Sequence, residues 1–90
     1  LPDKLILNQN FPNPFNSSTT IDFVLPKSDY VTLKVYDELG KEVITLIDNA
    51  YLNAGYYPVR FEAGNLASGV YYYRLITKDY KEEKKMVILK

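Results

Sequence analysis

Alternation with a period of two recurs along nearly the whole chain, and no other feature constrains its fold as tightly. Successive side chains of an extended strand point to opposite faces, so a half-buried strand reads as apolar and polar residues by turns. Over 19–25, Ile21, Phe23 and Leu25 alternate with Thr20 and Asp22. Over 30–36, Val31, Leu33 and Val35 alternate with Thr32, Lys34 and Tyr36. Over 70–77, Arg74 needs water, which turns Val70, Tyr72 and Arg74 outward and Tyr71, Tyr73 and Leu75 inward. Leu5-Ile6-Leu7 predicts a short first strand ending at Asn8, and 42–47, 56–62 and 81–89 complete the set. Pro58 marks its strand as an edge or a bulge, because proline cannot donate to a ladder. No segment carries a helical stripe with caps.

The breaks between these segments are turn signals. Pro26 stops the second strand, Asp37-Glu38-Leu39-Gly40 reverses the chain, and 48–53 reads as a loose connection closed by Gly55. Asn65–Gly69 forms a corner, and Lys78-Asp79 a tight reversal. Seven short strands at this spacing predict an all-β, immunoglobulin-like antiparallel β-sandwich, with a small Greek-key barrel as the alternative. The expected core is Ile21, Phe23, Val31, Leu33, Val35, Phe61, Tyr71, Tyr73 and Leu75.

Gln9-Asn10-Phe11-Pro12-Asn13-Pro14-Phe15-Asn16 fits no regular element. Pro12 and Pro14 fix φ, lack an N–H and push Phe11 and Asn13 out of the α region. The Asn and Gln side chains are expected to bond their own loop, and both Phe rings to pin it to the core.

Ninety residues amount to one domain, and 47% apolar content fits a packed fold, not a disordered tail. Eleven basic and eleven acidic residues cancel, and Lys81, Lys84 and Lys85 interleave with Glu82 and Glu83, so no basic face for nucleic acid emerges. No apolar run approaches the roughly 18 residues of a membrane-spanning helix. The chain opens Leu1-Pro2-Asp3 without Met, which leads us to expect a piece of a longer protein.

The sequence has no Cys and no His. Disulfides and thiolate metal sites are excluded, and with them the commonest proton shuttle and metal ligand. The carboxylate pairs Glu38/Glu42 and Glu82/Glu83 lie in or beside hairpin turns, where they are expected to be solvated, so we expect no catalysis. Asp3, Asn8, Asn10, Asn13 and Asn16 carry too little charge for a calcium site. We expect no cofactor and no metal. Asn16-Ser17-Ser18 matches a glycosylation pattern that arises often by chance. Tyr71–Tyr73 could offer a sugar-stacking platform, but the alternation favours a core strand with one Tyr outward.

Gln9–Asn16 followed by Thr19-Thr20-Ile21 resembles the "QNxPNPFNPxTxI" opening of bacterial type IX secretion C-terminal sorting domains. Three further stretches are similar to that family, in the same order along the chain. They are Val31–Asp37 with Gly40–Val43, then Ser68–Leu75, then Lys84–Lys90. Ser17, Lys41 and Ala67 depart from the usual Pro, Arg and Pro without touching the strand pattern. The resemblance implies a non-catalytic C-terminal signal over 1–90 that directs an upstream cargo domain of the same chain. The cargo would cross the periplasm to the cell surface or medium. The implied partners are outer-membrane secretion machinery and, in some members, a sortase-like protease. The domain itself is expected to be a monomer.

Two other functions compete. One is a structural Ig-like spacer, similar to the related domain of flagellar hook-capping proteins. The other is a carbohydrate-binding sandwich using Tyr51, Tyr56, Tyr57 and Tyr72. For the sorting reading, the expected recognition residues are Gly69, in the turn before the sixth strand, and Lys84, Lys85, Met86, Val87, Ile88, Leu89 and Lys90. Met86–Leu89 is apolar on both faces, which predicts a strand covered twice or meeting a partner. The flanking lysines are expected to restrain self-pairing while leaving the strand's backbone open to a receptor.

Overall fold

Residues 3–90 are described by a computed structural model, and all of its regular structure is β. The strands are β1 (Ile6–Leu7), β2 (Ser18–Leu25), β3 (Asp29–Asp37), β4 (Glu42–Leu52), β5 (Gly55–Glu62), β6 (Gly69–Ile76) and β7 (Lys81–Ile88). They form a three-stranded sheet, β1-β2-β5, and a four-stranded sheet, β4-β3-β6-β7, with every strand pair antiparallel. The expected seven-stranded sandwich is the fold observed.

The alternation explains the core. All nine expected core residues are buried, and Leu5, Leu7, Phe15, Leu25, Ala63, Met86 and Ile88 join them. Odd residues of β2 and β3 point between the sheets, as do Tyr71, Tyr73 and Leu75 of β6. Tyr71 lies at the corner that opens β6, and its hydroxyl donates 2.8 Å back to the Ala67 carbonyl, as expected of an Ig-like corner tyrosine. Pro58 lies on an edge strand, opposite Asp22. The Asp22 carbonyl accepts from Asn8 on its other side, so Asp22 turns its polar groups away from β5. By the alternation of ladder bonds, Pro58 then needs no N–H toward β2.

Two expectations are corrected. Residues 48–53 are not a loose connection, because β4 runs on to Leu52. Its register against β3 shifts three times, and at the first shift Thr32 faces both Asp48 and Asn49. A bulge of this kind breaks the period of two, which is why the stretch reads as a loop. Asn49 takes a left-handed φ of 48° there, and its N–H donates to Thr32 Oγ1 at 3.1 Å. The second correction concerns Phe11. Phe11 is 80% exposed, so its side chain does not pin the loop to the core. What holds that end of the loop is backbone: Phe11 exchanges both of its ladder bonds with Thr20, each 3.0 Å. Phe15 is buried as expected, edge-on to Phe61 with ring centroids 6.0 Å apart.

A candidate recognition site at the terminal strand

The chemistry of residues 9–16 starts from one buried side chain. Asn10 is almost wholly buried, and a buried amide must satisfy its groups within the protein. Its Nδ2 donates to Thr19 Oγ1 at 3.0 Å and to the Pro12 carbonyl at 3.2 Å, while its Oδ1 accepts from Gln9 Nε2 at 2.7 Å. Thr19 Oγ1 donates to the same Pro12 carbonyl at 2.8 Å. The Asn10 backbone N–H reaches Tyr73 Oη at 2.8 Å, and that hydroxyl donates to the Asn8 carbonyl at 2.7 Å. Burial of the Tyr73 ring pushes its phenol up to about 12, so it stays a neutral donor through this network.

From this anchor the segment crosses to the other sheet and lies along the outer edge of β7. Gln9 Nε2 donates to the Lys85 carbonyl at 2.7 Å, and the Val87 N–H donates to Asn13 Oδ1 at 3.0 Å. Phe15 then pairs in parallel with Ile88: its N–H reaches the Val87 carbonyl at 3.1 Å, and its carbonyl accepts from Leu89 N–H at 2.8 Å. Four hydrogen bonds thus occupy the edge from Lys85 to Leu89. The expectation that this backbone stands open to a receptor is corrected. The sequence hides the arrangement because the bonds join positions more than seventy apart. Its one legible trace is a density of Asn and Gln greater than a local turn requires.

The expected recognition residues divide by environment. Met86 and Ile88 are buried in the core, Val87 is half-buried on the outer face, and Leu89 is 63% exposed. Lys85 is exposed, whereas Lys84 is half-buried and shares the inward parity of Met86, opposite Tyr73. Lys90 folds back: its N–H donates to Ser68 Oγ at 2.9 Å and its Nζ to the Gly64 carbonyl at 2.8 Å. Gly69 pairs with Ile88 and has φ 156°, in the region that favours glycine, so the turn holds it beside the chain's last residues. Gly69 and Ile88–Lys90 therefore meet at one end of the sandwich, with Lys84 and Lys85 farther up the strand. A cleft of about 630 Å³ lined by Asn16, Ser17, Glu62, Ala63, Gly64 and Lys90 opens beside them.

The other candidate chemistry is dispersed. Glu42 pairs with Lys34 at 3.0 Å and accepts from Thr45 Oγ1; these bonds hold its carboxyl below the usual range and raise the Lys34 amine. Glu83 pairs with Arg74 at 3.0 Å, and the Arg74 guanidinium lies 4.5 Å from the Tyr36 ring centre. The four tyrosines of the carbohydrate reading do not converge. Tyr57 stacks on Phe23 at 5.4 Å and donates to the Asn53 carbonyl, and Tyr56 donates to Asp22. Tyr51 and Tyr72 share the outer face of the four-stranded sheet but stand opposite Tyr30 and Tyr36, about 20 Å apart along β3. Among the described residues, no helix is long and apolar enough to cross a membrane.

The family model described as "Secretion system C-terminal sorting domain" matches residues 9–89. The chain belongs to this family, the sorting domains of type IX secretion. No curated protein and no solved structure matched. The matched span begins at Gln9, the first residue of the segment that clamps β7, and ends at Leu89, the last residue clamped.

Proposed function

We propose that this domain is the signal that directs an upstream cargo domain of the same chain through the type IX machinery, across the periplasm, to the cell surface or medium. The observation that carries this reading is the family match over residues 9–89. The domain acts as a non-catalytic monomer, and its partner is the outer-membrane secretion machinery, with a sortase-like protease acting after export in processed cases. The segment read is Lys84–Lys90 together with Gly69. The clamped edge favours reading through side chains over strand addition. The accessible groups are the Lys85 side chain, the outer face of Val87, and Leu89.

The test is a reporter fused to residues 1–90 in a host with this secretion system. Deleting Lys85–Lys90 also removes buried Met86 and Ile88, so it measures folding as much as recognition. The cleaner variant is Lys85→Glu with Leu89→Ser, both at exposed positions. Its expected result is a folded domain with the reporter retained in the periplasm. Export at the unmodified level from that variant, with the deletion also exported, would sink the assignment of the signal to this strand.

A further inference from the structure

We propose that residues 9–16 are a latch over a strand-pairing edge, and that the partner this edge takes when uncovered is β7 of a second copy of the chain. The backbone groups that point away from β6 belong to odd residues, and from the Lys85 carbonyl onward they are that carbonyl, both groups of Val87 and the Leu89 N–H. In the closed state Gln9, Asn13 and Phe15 occupy all of these. The latch does not itself become a new edge. Phe15 spends its backbone groups on β7, Pro14 has no N–H to turn outward, and the Pro12 carbonyl is consumed by Asn10 and Thr19. From Lys85 onward the closed domain thus ends its four-stranded sheet on a segment that cannot extend it, which is how natural sheets avoid edge-to-edge association.

Charge selects the occupant. Antiparallel pairing of two β7 strands about a two-fold axis brings odd residues opposite odd residues. The register that puts Glu83 opposite Lys85 of the second copy makes two opposite-charge pairs and sets Lys81 opposite Val87. Cross-strand pairs of opposite charge favour such a register. The two Lys84 side chains meet on the axis, so one like-charge contact weakens the dimer without blocking it. With the latch closed, the Lys85–Leu89 half of this ladder is unavailable.

The experiment uses the isolated 1–90 chain and does not depend on export, so it stands or falls apart from the sorting reading. Gln9→Leu with Asn13→Leu removes two latch bonds at exposed positions and leaves Phe15 in place; adding Phe15→Ala opens the latch further, with folding checked by amide spectra. Losing one hydrogen bond should speed exchange of the Val87 amide by about fivefold or more. The opened chain should dimerise as concentration rises toward about 1 mM, where the unmodified chain stays monomeric. Lys85→Glu in the opened background should return it to monomer, and Lys84→Ala should strengthen the dimer. A Val87 amide still protected in both variants would show that these side chains are not the latch. An opened chain that stays monomeric, or a dimer indifferent to Lys85→Glu, would overturn self-pairing through this edge.

Discussion

The four-stranded sheet has two edges, β4 and β7, and it protects them by opposite means. β4 is irregular. Three register shifts kink it against β3, Asn49 is forced into a left-handed conformation, and none of its residues is fully buried. β7 is regular, pairs with β6 without a break from Lys81 to Ile88, and buries Met86 and Ile88. A bulged edge is a poor template because its groups no longer lie in line. A straight edge is a good one, and here a second segment covers its C-terminal half. The comparison teaches that covering an edge leaves its strand free to serve the core, whereas bulging an edge withdraws it from the core.

That difference sets the largest expected effect. Ile88 is fully buried on the covered edge, and Ile44 is 39% exposed on the bulged one. Ile88→Ala should cost about 2–5 kcal/mol, the range for truncating a buried aliphatic side chain. Ile44→Ala should stay within about 1 kcal/mol. Urea unfolding of both variants checks this. Equal losses would mean that β4 carries as much of the core as β7 and that the comparison is wrong.

The two edges were also unequally legible. The faces of β2, β3 and β6 follow from alternation alone, because a regular half-buried strand has one inward parity, and Phe23, Leu33 and Tyr73 obey it. The end of β4 escapes that logic, since each bulge changes the parity and Asp48-Asn49 then reads as a turn. The latch escapes it for another reason. That Phe15 is buried follows from its area, but nothing local tells that Asn10 is buried and Phe11 is not. The choice is made by Tyr73, whose hydroxyl waits for the Asn10 N–H from sixty-three residues away. For the expected recognition residues, sequence shows a segment apolar on both faces, and only the fold separates the buried Met86 and Ile88 from the exposed Lys85 and Leu89.

Alkaline pH should sharpen the contrast at the covered edge. The Tyr73 phenol, buried under the latch, is pushed up to about 12 from an ordinary value of 10.0. A group with a raised folded value contributes stability that is complete below its unfolded value and is lost as pH climbs through the folded one. Between pH 10 and 12 the unfolded chain releases this proton while the folded chain keeps it. About 2–3 kcal/mol of stability should disappear across that window. Tyr73→Phe is the control. It should be less stable at pH 7, because the Asn10 N–H and the Asn8 carbonyl each lose a partner, yet its alkaline decline should be shallower by that amount. Parallel declines for the two proteins would show that this phenol does not titrate in the window.

The smallest effect belongs to the bulge itself. Asn49 sits at φ 48°, where a Cβ crowds the backbone, although asparagine bears this better than most residues. Glycine removes the crowding but brings a more flexible unfolded chain, and the two terms are of similar size and opposite sign. Asn49→Gly should therefore change stability by no more than about 0.5 kcal/mol. Asn49→Ala keeps the Cβ without asparagine's tolerance and should lose about 1 kcal/mol. The Asn49 N–H is a backbone donor that neither substitution removes, so the difference between the variants reports the backbone strain less glycine's unfolded-chain term. Thermal unfolding of the pair measures it. If alanine proves more stable than glycine by about 0.4–1 kcal/mol, the full unfolded-chain term, the left-handed turn is not strained, and the irregularity of β4 is set by its neighbours on β3, not by Asn49.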